Sequence, residues 1–198
     1  MEGFSEYNFI KHYLKYNGKV FTEDFNEIRN HRELFFLKNC KSDSSIFPSL
    51  KNDQWWIEEL TDVLIIIVSD LDHVPCYTSF KLNVQDEAKQ LQLTKPFKII
   101  NSKPEIEQIY MENIPLLKKV IKSYYNQESI NPVDNFEQLK NSDKLTFNCA
   151  NRFIINEILR VNGSSMSKKT FSDKFFANAF QQDFVLSITQ RLQSIIDH

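Results

Sequence analysis

The stretch from residue 53 to residue 72, DQWWIEELTDVLIIIVSDLD, is the most apolar part of the chain and decides the fold. Its apolar residues recur at the i, i+3, i+4 spacing of an amphipathic helix, with three acids on the opposite side. Ile65 and Ile66 interrupt that polar side, and the β-branched run 63–68 also suits a buried strand. We interpret the stretch as a buried helix, with a strand over 63–68 as the alternative.

The next segments predict a small β element. Residues 77–84 alternate between apolar and polar side chains, which is typical of a half-buried strand. Residues 97–100 form a second short apolar run, and a helix over 86–94 would connect the two. We therefore predict a two-stranded element around Tyr77–Val84 and Phe97–Ile100.

Helices are predicted on both sides of this region. The first begins near Ser5 and ends before Gly18, and the second begins at Thr22 and frays near Cys40. Phenylalanines at helical spacing predict another helix over 171–180. The expected fold is mainly α: one compact multi-helix domain over residues 1–198.

Glycine is scarce, which excludes several classes of binding site. Only Gly3, Gly18 and Gly163 occur, and no two are close in sequence. Phosphate-cradling loops need several glycines at short fixed spacing, so a P-loop and a dinucleotide-binding fingerprint are both absent. We expect no bound cofactor.

Charge and cysteine content point to an intracellular protein. The net charge of −2 gives no general reason to bind nucleic acid or an anionic membrane. Cys40, Cys76 and Cys149 are odd in number and widely separated, which fits neither a disulfide framework nor a zinc ribbon. Acids stand where a signal peptide would have bases. We expect a cytoplasmic protein with reduced thiols, no metal site and no membrane contact.

Residues 65–74, IIIVSDLDHV, contain the sharpest local motif. An apolar run ending in D-x-D resembles the first motif of the haloacid dehalogenase-like phosphotransferases. The resemblance implies that Asp70 is the nucleophile and helps to hold Mg²⁺, and that Asp72 is the general acid. Residues 99–102, IINS, are similar to the second motif, which implies that Ser102 binds phosphate.

Two features depart from that family. His73-Val74 stands where the family has Gly-Thr, and no later apolar strand ends in a pair of acids. The predicted helical surroundings also differ from a fold that alternates strands and helices. If residues 63–68 are helical, Asp70 and Asp72 are ordinary surface acids at the end of a helix.

A second motif is W-x-x-x-E, formed by Trp55 and Glu59. It resembles the motif of helical bacterial effectors that act as exchange factors for small GTPases. In those proteins the Trp and the Glu mainly brace the fold around a separate loop. The simpler interpretation is that the adjacent tryptophans anchor the core.

The region 140–174 is basic, with seven Lys or Arg against three Asp or Glu. Lys168, Lys169 and Lys174 are candidates for contacts with nucleic-acid phosphates or with another partner. The neighbouring phenylalanines fall at helical spacing, which favours core packing over base stacking.

From the residues alone we expect a non-enzymatic protein-interaction module, such as an inhibitor, immunity protein, adaptor or complex subunit. Its partner would be a protein, because no cofactor loop or metal-ligand cluster is evident in the sequence. The alternatives are an exchange factor using Trp55 and Glu59, a Mg²⁺-dependent phosphotransferase using Asp70 and Asp72, and a nucleic-acid-binding protein.

Overall fold

The computed structural model describes residues 1, 3–28, 34–70, 77–102, 106, 109–110, 115–117, 119–120 and 167–181. This part of the chain is mainly helical, as the sequence predicts, with two short parallel sheets. In chain order its elements are α1 (Phe4–Tyr16), β1 (Phe21–Thr22), α2 (Phe25–Ile28), β2 (Phe35–Phe36), a 3-10 turn (Asp43–Ser45), α3 (Ile46–Ile57), β3 (Ile65–Asp70), α4 (Tyr77–Gln90), β4 (Phe97–Ser102) and α5 (Lys168–Gln181).

The central sheet is a parallel pair, β3 and β4, joined through α4. Parallel strands need a long crossover connection, and a helix is the usual one. Side chains alternate between the two faces of a strand, and both faces of β3 are packed. Ile65 and Ile67 join one apolar cluster, whereas Ile66 and Val68 join another.

Each face of this pair is covered by a different set of helices. The cluster around Ile67 includes Ile46 of α3 and Phe80 of α4, and we call it the α3–α4 core. The cluster around Val68 contains the apolar faces of α1 and α5, and we call it the α1–α5 core. The β3–β4 pair therefore forms a middle layer between two helical layers.

The helix predicted over residues 53–71 is wrong beyond Ile57, and the alternative, a strand over 63–68, is confirmed over residues 65–68. Helix α3 ends at Ile57, and β3 begins at Ile65. Two-sided burial explains the error, because a strand that is covered on both faces is continuously apolar and shows no alternation. Ile65 and Ile66 interrupt the polar side of the predicted helix, and this interruption is the sequence feature that indicates the strand.

The predicted strand over 77–84 is also wrong, because these residues begin α4. Phe80, Val84 and Ala88 are buried at four-residue spacing, whereas Leu82 is 55% exposed. A strand would place Phe80, Leu82 and Val84 on the same face, so an exposed Leu82 between two buried residues indicates a helix. The strand over Phe97–Ile100 is confirmed and extends to Ser102, but its partner is β3.

The two helices of the α1–α5 core meet through aromatic rings. Phe9 packs on Phe176 with ring centroids 5.3 Å apart, and Tyr13 packs on Phe180 at 6.2 Å. Nearer the start of both helices, the Asn8 side-chain amide donates to the Ser172 hydroxyl over 2.6 Å. The contacts advance together along both chains, so α1 and α5 run in the same direction.

Predictions for the amino-terminal helices are confirmed only in part. Helix α1 ends just before Gly18, whose φ of 64° lies in the left-handed region that glycine tolerates. The helix predicted from Thr22 towards Cys40 is wrong as a continuous element, because within the described part of this range Phe25–Ile28 is helical and Phe35–Phe36 is a strand. No helix in the described ranges is long and apolar enough to cross a membrane.

Candidate functional site

The carboxyl end of the β3–β4 pair brings together two of the residues that the sequence singles out. Asp70 ends β3 and Ser102 ends β4, and their Cα atoms are register partners across the sheet. Ser69 and Asn101 are the partners one residue earlier. In open parallel sheets, ligands bind in the crevice outside the carboxyl ends of the strands. This edge is therefore the first candidate site.

The local sequence explains why these polar residues lie at the edge. The apolar run 65–68 packs into the two cores and is followed by Ser69, which is also fully buried, and by Asp70, which ends the strand. Residues 97–102 likewise end in two polar residues, Asn101 and Ser102, after a mainly apolar segment that contains Lys98. Both strands thus end in groups that accept hydrogen bonds or bind cations.

Asp72 lies outside the described residues, as do His73 and Cys76. Asp72 follows the end of β3 by two residues in the sequence. Among the residues that the structure describes, no group of three or more His, Cys, Asp or Glu side chains converges on one point.

The W-x-x-x-E pair does not lie in the core. Trp55 is 59% exposed near the end of α3, and Glu59 is exposed beyond the end of that helix. The neighbouring Trp56 is buried and packs against Phe36, with ring centroids 5.3 Å apart. Trp56, rather than Trp55, is therefore the tryptophan that anchors the interior.

The basic candidates lie on α5. Lys168 is half-buried, whereas Lys169 and Lys174 are exposed. The phenylalanines of α5 are buried in the α1–α5 core, which leaves their rings unavailable for stacking on bases; they are Phe171, Phe175, Phe176 and Phe180. Most of the basic region, residues 140–166, lies outside the described residues.

A second candidate site is a cleft of about 610 Å³ between α1, the first turns of α5 and the segment 36–39. Its walls carry Phe4 and Tyr7 from α1 and Lys169 from α5. The Tyr7 hydroxyl donates to the Glu23 carboxylate, and burial together with Glu23 raises the pKa of Tyr7 well above its usual value. The phenol therefore stays protonated and acts as a fixed donor.

Sequence reasoning missed this cleft. Its walls come from segments about 160 residues apart, as the hydrogen bond from the Asn8 amide to the Lys169 carbonyl illustrates. No local motif marks a surface that is assembled across such a distance. Only Lys169 belonged to a set that the sequence singled out.

An ion-pair cluster closes one side of the cleft. The Lys11 ammonium and His12 Nε2 each lie 2.9 Å from the same carboxylate oxygen of Asp173. Burial lowers the pKa of His12 below its ordinary value, and this outweighs the opposite effect of Asp173; nearby Lys11 and Lys15 lower it further. The imidazole is therefore neutral at pH 7, and its Nε2 proton is donated to Asp173.

Comparison of the chain with protein-family models, with curated protein sequences and with solved structures finds no match. The function is therefore argued from the geometry of this molecule alone.

His12 makes stability depend on pH in a defined direction. Its folded-state pKa lies below the unfolded value of 6.5, so the unfolded chain takes up the proton first. Its contribution is complete above pH 6.5 and is lost as the pH falls from there to the folded-state pKa. We predict that the His12→Gln variant, whose amide can still donate to Asp173, loses this part of the pH dependence. Urea unfolding between pH 5 and pH 8 measures the effect.

The matched control is Lys81→Gln, a change at an exposed position of α4. It should leave the pH dependence of the free energy of unfolding unchanged. An equal slope in the wild type and in His12→Gln would contradict the role of His12.

Proposed function

We propose that the carboxyl end of the β3–β4 pair is the active site of a Mg²⁺-dependent phosphatase or phosphotransferase. One observation carries the proposal: Asp70 and Ser102 end two parallel strands and are register partners. A nucleophile and a phosphate-binding hydroxyl are needed on the same side of a phosphoryl group, and neighbouring parallel strands supply that arrangement.

Because Asp70 ends a strand and not a helix, the D-x-D motif supports catalysis more strongly than the sequence alone suggests. At the end of a helix, these acids would be ordinary surface groups. In this chain the acid instead ends a buried strand, and a helix and a second parallel strand follow it. The β3–α4–β4 order supplies the alternation of strand and helix that the helical interpretation lacked. This order favours catalysis over the non-enzymatic function expected from sequence.

The proposed chemistry uses three residues. The Asp70 carboxylate attacks phosphorus, the bond from phosphorus to the leaving oxygen breaks, and Asp72 donates a proton to that oxygen. Water then attacks the acyl phosphate on Asp70 and releases inorganic phosphate. The Ser102 hydroxyl donates a hydrogen bond to a phosphate oxygen and holds the group for attack.

The donor set at this edge suits Mg²⁺, because that ion prefers oxygen ligands and binds through one or two carboxylates together with substrate phosphate. Asp70 would hold it. When bound, Mg²⁺ neutralises charge on the phosphate.

We predict that the protein hydrolyses p-nitrophenyl phosphate in the presence of Mg²⁺, and that EDTA stops the reaction. Asp70→Asn removes the nucleophile and should lower kcat on the order of 10⁴-fold, a loss typical of a removed catalytic group. Ser102→Ala removes one donor to the phosphate and should lower kcat/KM about 100-fold. The release of p-nitrophenolate measures both.

Asp86→Asn is the matched control, because Asp86 is an exposed acid on α4, the helix that links the two strands. This variant should keep full activity. Unchanged hydrolysis in Asp70→Asn, or no Mg²⁺-dependent hydrolysis of any aryl phosphate or nucleotide by the wild type, would refute the proposed active site. Thermal unfolding of each variant separates lost activity from lost folding.

A second candidate function is the protein-interaction module expected from sequence, and the exposure of Trp55 favours it. This ring is 59% exposed and contacts Phe25 edge-to-face, with centroids 5.4 Å apart. Exposed tryptophans are frequent energetic centres of protein interfaces. If the function is binding, nuclease-treated pull-downs should retain one stoichiometric protein with the wild type and lose it with Trp55→Ala. Retention by Trp55→Ala would exclude this surface.

A further inference from the structure

The cleft between α1 and α5 has a composition that the proposed active site does not explain. Three lysines and two acids line it, giving a side-chain charge of +1; they are Lys11, Lys38, Lys169, Glu23 and Asp173. Aromatic rings from Phe4, Tyr7 and Phe36 line the same space. A concave surface that joins apolar rings with a few polar groups is the usual form of a small-molecule site.

The lysines of this cleft are not equivalent. Lys11 is paired with Asp173 over 2.9 Å, and Lys38 forms an ion pair with Asp53. Within the described residues, no ion pair involves Lys169. Its ammonium instead lies over the Phe4 ring, 5.4 Å from the centroid. Among the described residues, Lys169 is therefore the cleft lysine that has no carboxylate partner, and it lies beside an aromatic face.

Asn39 adds a donor that lacks a partner. The backbone N–H of Lys41 donates to Asn39 Oδ1 over 2.8 Å, which distinguishes the oxygen of the amide from its nitrogen. The Nδ2 atom is then buried in the cleft wall, and no described residue accepts a hydrogen bond from it. A buried donor without an acceptor destabilises the free protein, so binding of an acceptor that reaches it is favoured.

The amino termini of α1 and α5 also favour a negatively charged ligand. Phe4 begins α1, and Lys169 and Thr170 lie in the first turn of α5, so two helix amino termini border the cleft. The partial positive charge of a helix amino terminus favours an anion. The buried Glu6 carboxylate folds back towards Gly3 and offsets this charge at α1, which leaves α5 as the stronger contributor.

We propose that this cleft binds a small aromatic oxyanion, a phosphate or a carboxylate attached to a flat ring. The ring packs against Phe4 and Tyr7, the oxyanion pairs with Lys169, and a small rotation of the Asn39 side chain brings Nδ2 to an anionic oxygen. Binding is independent of Mg²⁺ and of Asp70, so it is separable from the proposed catalysis.

The test is calorimetric titration with phenyl phosphate, benzoate and inorganic phosphate, in EDTA and with Asp70→Asn so that the catalytic edge does not contribute. Phenyl phosphate or benzoate should bind at least about tenfold more tightly than inorganic phosphate, because each adds the ring contacts. Lys169→Ala should weaken binding about tenfold or more, the usual loss for a hydrogen bond to a charged group. Comparing the two aromatic probes distinguishes a phosphate site from a carboxylate site.

Lys174→Ala is the matched control, because Lys174 is an exposed lysine on the same helix that does not line the cleft. Asn39→Ala should also weaken binding, and thermal unfolding of each variant checks that it folds. No binding of either aromatic probe would overturn the proposal. Equal affinity for inorganic phosphate would overturn it, as would equal losses in Lys169→Ala and Lys174→Ala.

Discussion

The burial of β3 on both faces is the constraint on which the rest of the described structure depends. Four consecutive β-branched residues, 65–68, divide alternately between the α3–α4 core and the α1–α5 core. A helix would present these residues around its circumference, whereas a strand directs them to two opposite helical layers. Pairing with β4 satisfies backbone groups that water does not reach at this depth.

Parallel pairing has a consequence for chemistry. Because the strands run in the same direction, their polar ends fall at one edge, and residues 32 positions apart, such as Asp70 and Ser102, become neighbours. The two-layer packing that excludes water from Ile67 and Val68 also covers Ser69, and β3 ends one residue later at Asp70.

The sequence predicts those parts of the fold that depend on local signals. Gly18 marks the end of α1, and the phenylalanine spacing marks α5, because a left-handed residue and a helical period are local properties. The helix favoured over 63–68 and the strand predicted over 77–84 are the wrong types of element, and the strand alternative over 63–68 is the correct one. For both, the deciding information is which layers cover them, and that is set by segments distant in sequence.

The candidate sites also differ in how much of each can be predicted from local sequence. Asp70 and Ser102 are identifiable from sequence because each follows its own apolar run, but their pairing depends on the parallel register. The cleft is invisible to sequence reasoning, since Asn39 and Lys169 come together only after α1 and α5 pack. Trp55 and Trp56 are adjacent in the sequence, and Trp56 is the buried one because its side of α3 faces the interior.

Mn²⁺ is a paramagnetic substitute for Mg²⁺, and it reports whether the cation held by Asp70 also lies close to Ser102 across the sheet. The measurement is the loss of amide signals from ¹⁵N-labelled protein at substoichiometric Mn²⁺. We expect the amide signals of Asp70 and Ser102 to broaden together. Those of Ile65 and Phe97, roughly 16 Å away along the strands, should broaden far less, and Asp70→Asn should abolish the effect. Broadening of Asp70 without Ser102, or no broadening at this edge, would contradict the proposed active site.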